Sequence, residues 1–150
     1  MKELLLLKDN NALWLSVQKQ IADELAASKN GIKIKITHNG KRSLGQNAFI
    51  HVIFTEISKY LVSKGRTDCD PDWVKKMLKS KYLGWIDETF VDVVTGERTE
   101  HQVLRKTSKL DKCEAFEFTS LIIDWADSIG CMIKIPEESE HMELIRSQNL

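Results

Sequence analysis

Lys41-Arg42-Ser43-Leu44-Gly45-Gln46-Asn47 opens the longest apolar pattern in the chain, and the fold is read outward from it. Ser43 and Gln46 stand three apart, the spacing of a capping box. In that device the Ser hydroxyl takes a first-turn backbone N–H and the Gln amide reaches back to the cap. Behind it Ile50, Ile53, Phe54, Ile57 and Leu61 recur at helical spacing, and Phe49 and Val52 widen the stripe. Thr55, Glu56, Ser58 and Lys59 are left for water, so the pattern predicts a central buried helix over about 43–62. The helix N-terminus would set Lys41 and Arg42 beside free backbone N–H groups, a seat for a phosphate.

Upstream, residues 3–7 read as a short strand, and Asn10 or Asn11 caps a helix to about Ser28 with Leu13, Val17, Ile21 and Leu25 on one face. Ile32, Ile34 and Ile36 alternate with Lys33, Lys35 and Thr37, the period of a strand wet on one side. Lys33 and Lys35 then share a side and lead across a turn at Asn39-Gly40 toward Lys41 and Arg42.

Downstream, Asp70-Pro71-Asp72 starts a second helix, apolar at Trp73 and Met77 and basic at Lys75, Lys76, Lys79 and Lys81. A β-hairpin is expected over about 89–105, with Phe90 to Val94 turning at Thr95-Gly96-Glu97-Arg98 and returning from His101 to Leu104. A long helix follows over about 111–129, opened by Thr107 or Ser108 and striped by Phe118, Leu121, Ile122, Trp125, Ala126 and Ile129. Gly130 ends it, Cys131 to Ile135 reads as a further strand, and an acidic, mobile segment begins at about 136. Helices and strands do not alternate, which favours α+β: a single compact domain over residues 1–150 with two lobes.

The longest apolar run, Leu4 to Leu7, cannot span a bilayer, and the pattern of a secretory signal is lacking. Cys69, Cys113 and Cys131 are odd in number and show no CxxC spacing, so neither a disulfide framework nor a zinc site is expected. These features point to a reduced cytoplasm, without a cofactor. Lys+Arg and Asp+Glu balance at 22 each, yet the charges are segregated. Lys29, Lys33, Lys35, Lys41 and Arg42 follow one another without an acid between them, and Arg105, Lys106, Lys109 and Lys112 form a second basic cluster. Local field governs binding more than the total does, so a neutral chain can still carry a basic face.

Asp68, Asp70 and Asp72 alternate like metal ligands, but acids at a helix start are explained by capping and the helix dipole. His38, His51, His101 and His141 share no ligand spacing, and there is no phosphate loop of the Walker or dinucleotide type. Nothing here proposes catalysis. Arg42 and the first-turn N–H groups are the best chemistry available for holding a phosphate. Gln46 either reaches a base or sugar or only closes its own capping box. Trp73 and Trp125 fall on apolar stripes and are expected in the core, whereas Trp14 and Trp85 are open to either reading.

Arg42-Ser43-Leu44, Gln46-Asn47, Trp73 on the next helix, and Thr107-Ser108-Lys109-Leu110 before the helix that carries Phe116 occur in an order and spacing that resembles the phage NinB family, also called Orf, of recombination mediators. The resemblance is best over about 41–130. It implies a homodimeric α+β protein with a basic passage that binds DNA, preferring single strands, without sequence specificity or ATP. It also implies contact with single-strand binding protein and help in loading a recombinase. Carried over by position, Gln46 and Lys109 would line the DNA passage, with Lys109 where the family can carry Arg. Two positions depart: Gly45 replaces an acid, and His51 stands where a Trp can occur. The DNA-binding set expected is therefore Lys33, Lys35, Lys41, Arg42, Gln46, Arg105, Lys106 and Lys109. Two rivals remain at this level. One is a metal-dependent, structure-selective nuclease using Asp68, Asp70, Asp72, Asp87 and Glu88; the other is a protein adaptor that never touches DNA.

Overall fold

The computed structural model describes residues 4–37 and 40–149. In chain order the elements are α1 (Asn11–Ala27), α2 (Leu44–Ser63), α3 (Pro71–Tyr82), β1 (Trp85–Val91), β2 (Arg98–Leu104), a 3-10 turn (Thr107–Lys109), α4 (Lys112–Ser128) and α5 (Glu140–Gln148). Five helices and one antiparallel ribbon make an α+β chain. It divides into two units, Lys41–Lys134 and Met1–Gly40 with Ile135–Leu150.

The larger unit is built on α2, which packs against both α3 and α4. Its capping box is formed: Gln46 N–H donates to Ser43 Oγ, and Ser43 N–H donates to Gln46 Oε1, each at 3.0 Å. Ile50, Ile53, Phe54 and Ile57 are buried, as are Val74 and Leu78 of α3 and Ala115, Phe118, Ile122 and Ala126 of α4. Phe54 meets Phe118 edge-on, with ring centroids 6.3 Å apart. Each large apolar side chain so buried contributes on the order of 1.5–3 kcal/mol of transfer free energy.

The stripe is narrower than its sequence suggests. Val52 and Leu121 are exposed, whereas Ser58 is buried because its hydroxyl donates to the Cys69 carbonyl at 2.7 Å. That bond ties α2 to the start of α3. Two residues further along α2, Tyr60 Oη donates to the Ile129 carbonyl, also at 2.7 Å. Cys69 and Cys131 are buried and Cys113 is half-buried, all three as free thiols. Burial pushes the Cys69 and Cys131 thiols up.

The ribbon runs in register from Trp85 opposite Leu104 to Val91 opposite Arg98. It starts earlier than expected and its turn is longer. The Asp92 carboxylate accepts the N–H groups of Val94 and Thr95 at 2.7 and 2.9 Å, which pulls Val93 and Val94 out of β1 into the turn. Trp85, Ile86, Phe90 and Val91 remain exposed on it.

In the smaller unit Asn10 caps α1 by accepting the Leu13 N–H, and its amide donates to the Gln148 backbone and side-chain oxygens at 3.1 and 3.0 Å. Gln148 in turn donates to the Leu5 carbonyl at 2.6 Å. The acidic C-terminal segment thus forms a helix, capped by Ser139, whose end is fastened to the beginning of the chain. On α1, Leu13 is buried and Leu25 exposed, so the expected stripe fades along the helix. The strands expected at 3–7, 32–37 and 131–135 do not form over described residues 4–7, 32–37 and 131–135. Alternation marks two faces but supplies no partner strand, and a strand without hydrogen-bonded neighbours is not a sheet. The turn at Asn39-Gly40 lies partly outside the described residues, as does His38.

Candidate functional site

Arg42, Asn47, His51, Lys75, Lys79, Lys106, Thr107 and Ser108 line a recess of about 300 Å³ in the larger unit. Three segments converge on it. Arg42 sits just before α2, where its backbone N–H donates to the Leu110 carbonyl at 3.4 Å. Asn47 and His51 are one turn apart on α2, and Lys75 and Lys79 are one turn apart on α3, so each pair shares a helix face. Lys106 leads into the 3-10 turn that carries Thr107 and Ser108.

The electrostatics are one-sided, because no carboxylate lines the recess. Ion pairs among the described residues join Lys59 to Glu56, Arg66 to Asp68, Lys76 to Asp72 and Arg105 to Glu114, leaving the four recess cations out. Burial lowers Arg42, which stays a cation because a guanidinium holds its proton. Burial, then the charges of Lys75 and Arg42, push His51 below its ordinary value, so its imidazole is neutral at pH 7. Lys79 is lowered first by burial and next by Lys75, with Lys106 acting in the same direction. Arg42 Nη1 and Asn47 Oδ1 are buried without a hydrogen-bond partner. Buried polar atoms are normally satisfied, and a recess of cations with an unused guanidinium N–H is chemically a receptor for an anion.

The sequence-expected residues divide sharply. Arg42 and Lys106 come together in the recess. Lys109 is exposed on the neighbouring 3-10 turn, and Lys41 is exposed and bridges Asp111 through the backbone. Arg105 pairs with Glu114. Gln46 is 4% exposed. Its oxygen takes the Ser43 N–H and its NH2 donates to the Lys112 carbonyl at 3.0 Å, so both ends of the amide serve the protein itself. Lys33 and Lys35 are exposed in the smaller unit. Asn47, His51, Lys75, Lys79, Thr107 and Ser108 were missed as site residues. The i, i+4 spacing of Lys75 with Lys79 is the signal that could have found the α3 pair.

Three of the acids proposed for metal chemistry, Asp68, Asp70 and Asp72, have other partners. Asp70 caps α3 by accepting the Trp73 N–H at 2.7 Å, Asp68 pairs with Arg66 at 3.2 Å and Asp72 with Lys76 at 2.9 Å. Asp87 and Glu88 are adjacent on β1 and therefore point to opposite faces of the ribbon. Among the described residues no three His, Cys, Asp or Glu side chains are grouped to hold a metal ion.

Trp73 and Trp125 are half-buried rather than core. With Tyr60, Leu61, Met77 and Ile129 they line a second, largely apolar cleft of about 390 Å³. Positions 73 and 77 lie about 200° around α3 from 75 and 79, so the two clefts flank opposite sides of that helix. The Arg66 guanidinium lies over the Trp73 ring at 5.7 Å from its centroid.

No helix of the described residues is long and apolar enough to cross a membrane. No solved structure matches the chain. It is 47% identical over 108 residues to an uncharacterized protein in the rusA 5' region of Enterobacteria phage 82, covering 72% of this chain and 71% of that one. The uncharacterized protein YbcN of Escherichia coli strain K12 matches with the same identity and coverage. The family model described as NinB protein matches residues 2–132, and the chain belongs to the NinB family.

Proposed function

We propose that this protein is a non-catalytic DNA-binding recombination mediator that holds single-stranded DNA by its phosphates, without reading sequence. The observation that carries the reading is the recess in which Arg42, Lys75, Lys79 and Lys106 meet with no lining carboxylate. Membership of a phage recombination-associated family supports the biological setting. Phosphate docking releases counterions, so affinity falls steeply with salt. The partners this reading implies are single-strand binding protein and a recombinase, and the assembly it implies is a homodimer.

Fluorescence anisotropy with single-stranded and duplex oligonucleotides at several salt concentrations tests it. Salt-sensitive binding that favours single strands, with the DNA recovered at full length in the presence of magnesium or manganese, is the expected result. Absence of binding at low salt would leave the adaptor reading, and shortened DNA would leave the nuclease.

A further inference from the structure

We infer that the recess receives the phosphorylated end of a DNA strand: a terminal phosphomonoester together with the nucleotide that carries it. This rests on the reading of the recess as a DNA-binding site and narrows its ligand.

Charge is the first argument. An internal phosphodiester carries one negative charge. Four lysine and arginine cations converge here on one recess of about 300 Å³. A terminal phosphomonoester carries about −1.5 to −2 at pH 7 and offers three strong acceptor oxygens. It is the nucleic-acid group whose charge density best matches such a cluster. Shape is the second. Surfaces that track a continuous strand are open grooves with charges spaced along them. Here α2, α3 and the 106–108 segment gather their cations at one open recess rather than along a line, with a volume at the lower end of the roughly 300–1,000 Å³ typical of small-ligand sites.

The orphaned atoms supply the third. Arg42 Nη1 needs an acceptor and Asn47 Oδ1 needs a donor, and both belong to residues that line the recess. A dianionic phosphate satisfies the first but has no proton for the second. A terminal nucleotide has both, since a base N–H can donate to Asn47 while its phosphate accepts from Arg42. Free inorganic phosphate supplies the charge but not the base.

The test compares one oligonucleotide sequence in four forms: 5′-phosphorylated, 3′-phosphorylated, hydroxyl at both ends, and circularised. At least one phosphorylated form is expected to bind roughly tenfold more tightly than the hydroxyl and circular forms, the effect of one added charge-assisted contact. Excess deoxynucleoside monophosphate should erase that advantage, and inorganic phosphate at the same concentration should erase less of it. Lys75→Ala and Lys106→Ala, each checked for folding by circular dichroism, should shrink the ratio between phosphorylated and hydroxyl forms. Equal affinity for all four forms would overturn the inference while leaving the proposed function standing. Failure of every form to bind would remove both.

Discussion

Gln46, expected at the DNA site, also carries part of the fold. Its oxygen holds the Ser43 amide and its nitrogen holds the Lys112 carbonyl, so the beginnings of α2 and α4 are joined through a single carboxamide. Gln46→Ala removes one hydrogen-bond partner from each of these two part-buried groups. It should cost about 1–3 kcal/mol in urea unfolding, while DNA affinity measured on the folded fraction changes little. The recess lysines should behave in the opposite way. Lys75→Ala combined with Lys79→Ala is expected to weaken DNA binding and to flatten the dependence of log affinity on log salt by about 1.4 for single strands. The capping task of Gln46 was legible because it depends on residues three apart. The recess was not, because Arg42, Lys75 and Lys106 are brought together only by packing. A basic helix side reads in sequence as a solvated face until another segment is laid against it.

Among the elements, helices were legible almost to their ends, since caps and periodicity are local. The exception is α4, capped by Asp111 through a capping box with Glu114 and not by Thr107 or Ser108, which lie in a 3-10 turn. Ser43, Asp70 and Gly130 each mark a boundary that the structure keeps. The strand patterns at 32–37 and 131–135 failed for the converse reason, because a strand needs a partner that its own residues do not encode. Gly130 carries a second constraint that periodicity could not reveal. Its φ is +86°, and a Cβ there would stand 2.9 Å from Tyr60 Oη, the hydroxyl that binds the Ile129 carbonyl. Gly130→Ala should therefore cost about 1–3 kcal/mol, read as a lower denaturation midpoint. Asn10→Ala should cost about 1 kcal/mol through loss of the α1 cap, and more if its bonds to Gln148 contribute. Asn10→Asp keeps the cap and separates the two effects.

For the molecule as a whole, charge balance and stability follow different groups. Its net charge is zero, yet the recess concentrates one sign, so bulk properties say little about what it binds. Stability should respond to acid through His141, which is 5% exposed and whose burial pushes its pKa down to about 4 from the ordinary 6.5. As pH falls through 6.5 the unfolded chain takes up this proton first. Stability is thus full above about pH 7 and declines toward pH 4, by on the order of 3 kcal/mol from this group. Urea midpoints measured across that range should fall for the native chain, and His141→Leu should flatten the decline.

The unequal burial of the three thiols gives the chain an internal clock. Alkylation proceeds through exposed thiolate, so a maleimide should label half-buried Cys113 first and leave Cys69 and Cys131 untouched in the closed fold. Cys69 sits where Ser58 fastens α2 to the start of α3, so its slow labelling would time the parting of those two helices. A ligand in the recess, which draws side chains from both helices, should slow that clock without touching the sulfur.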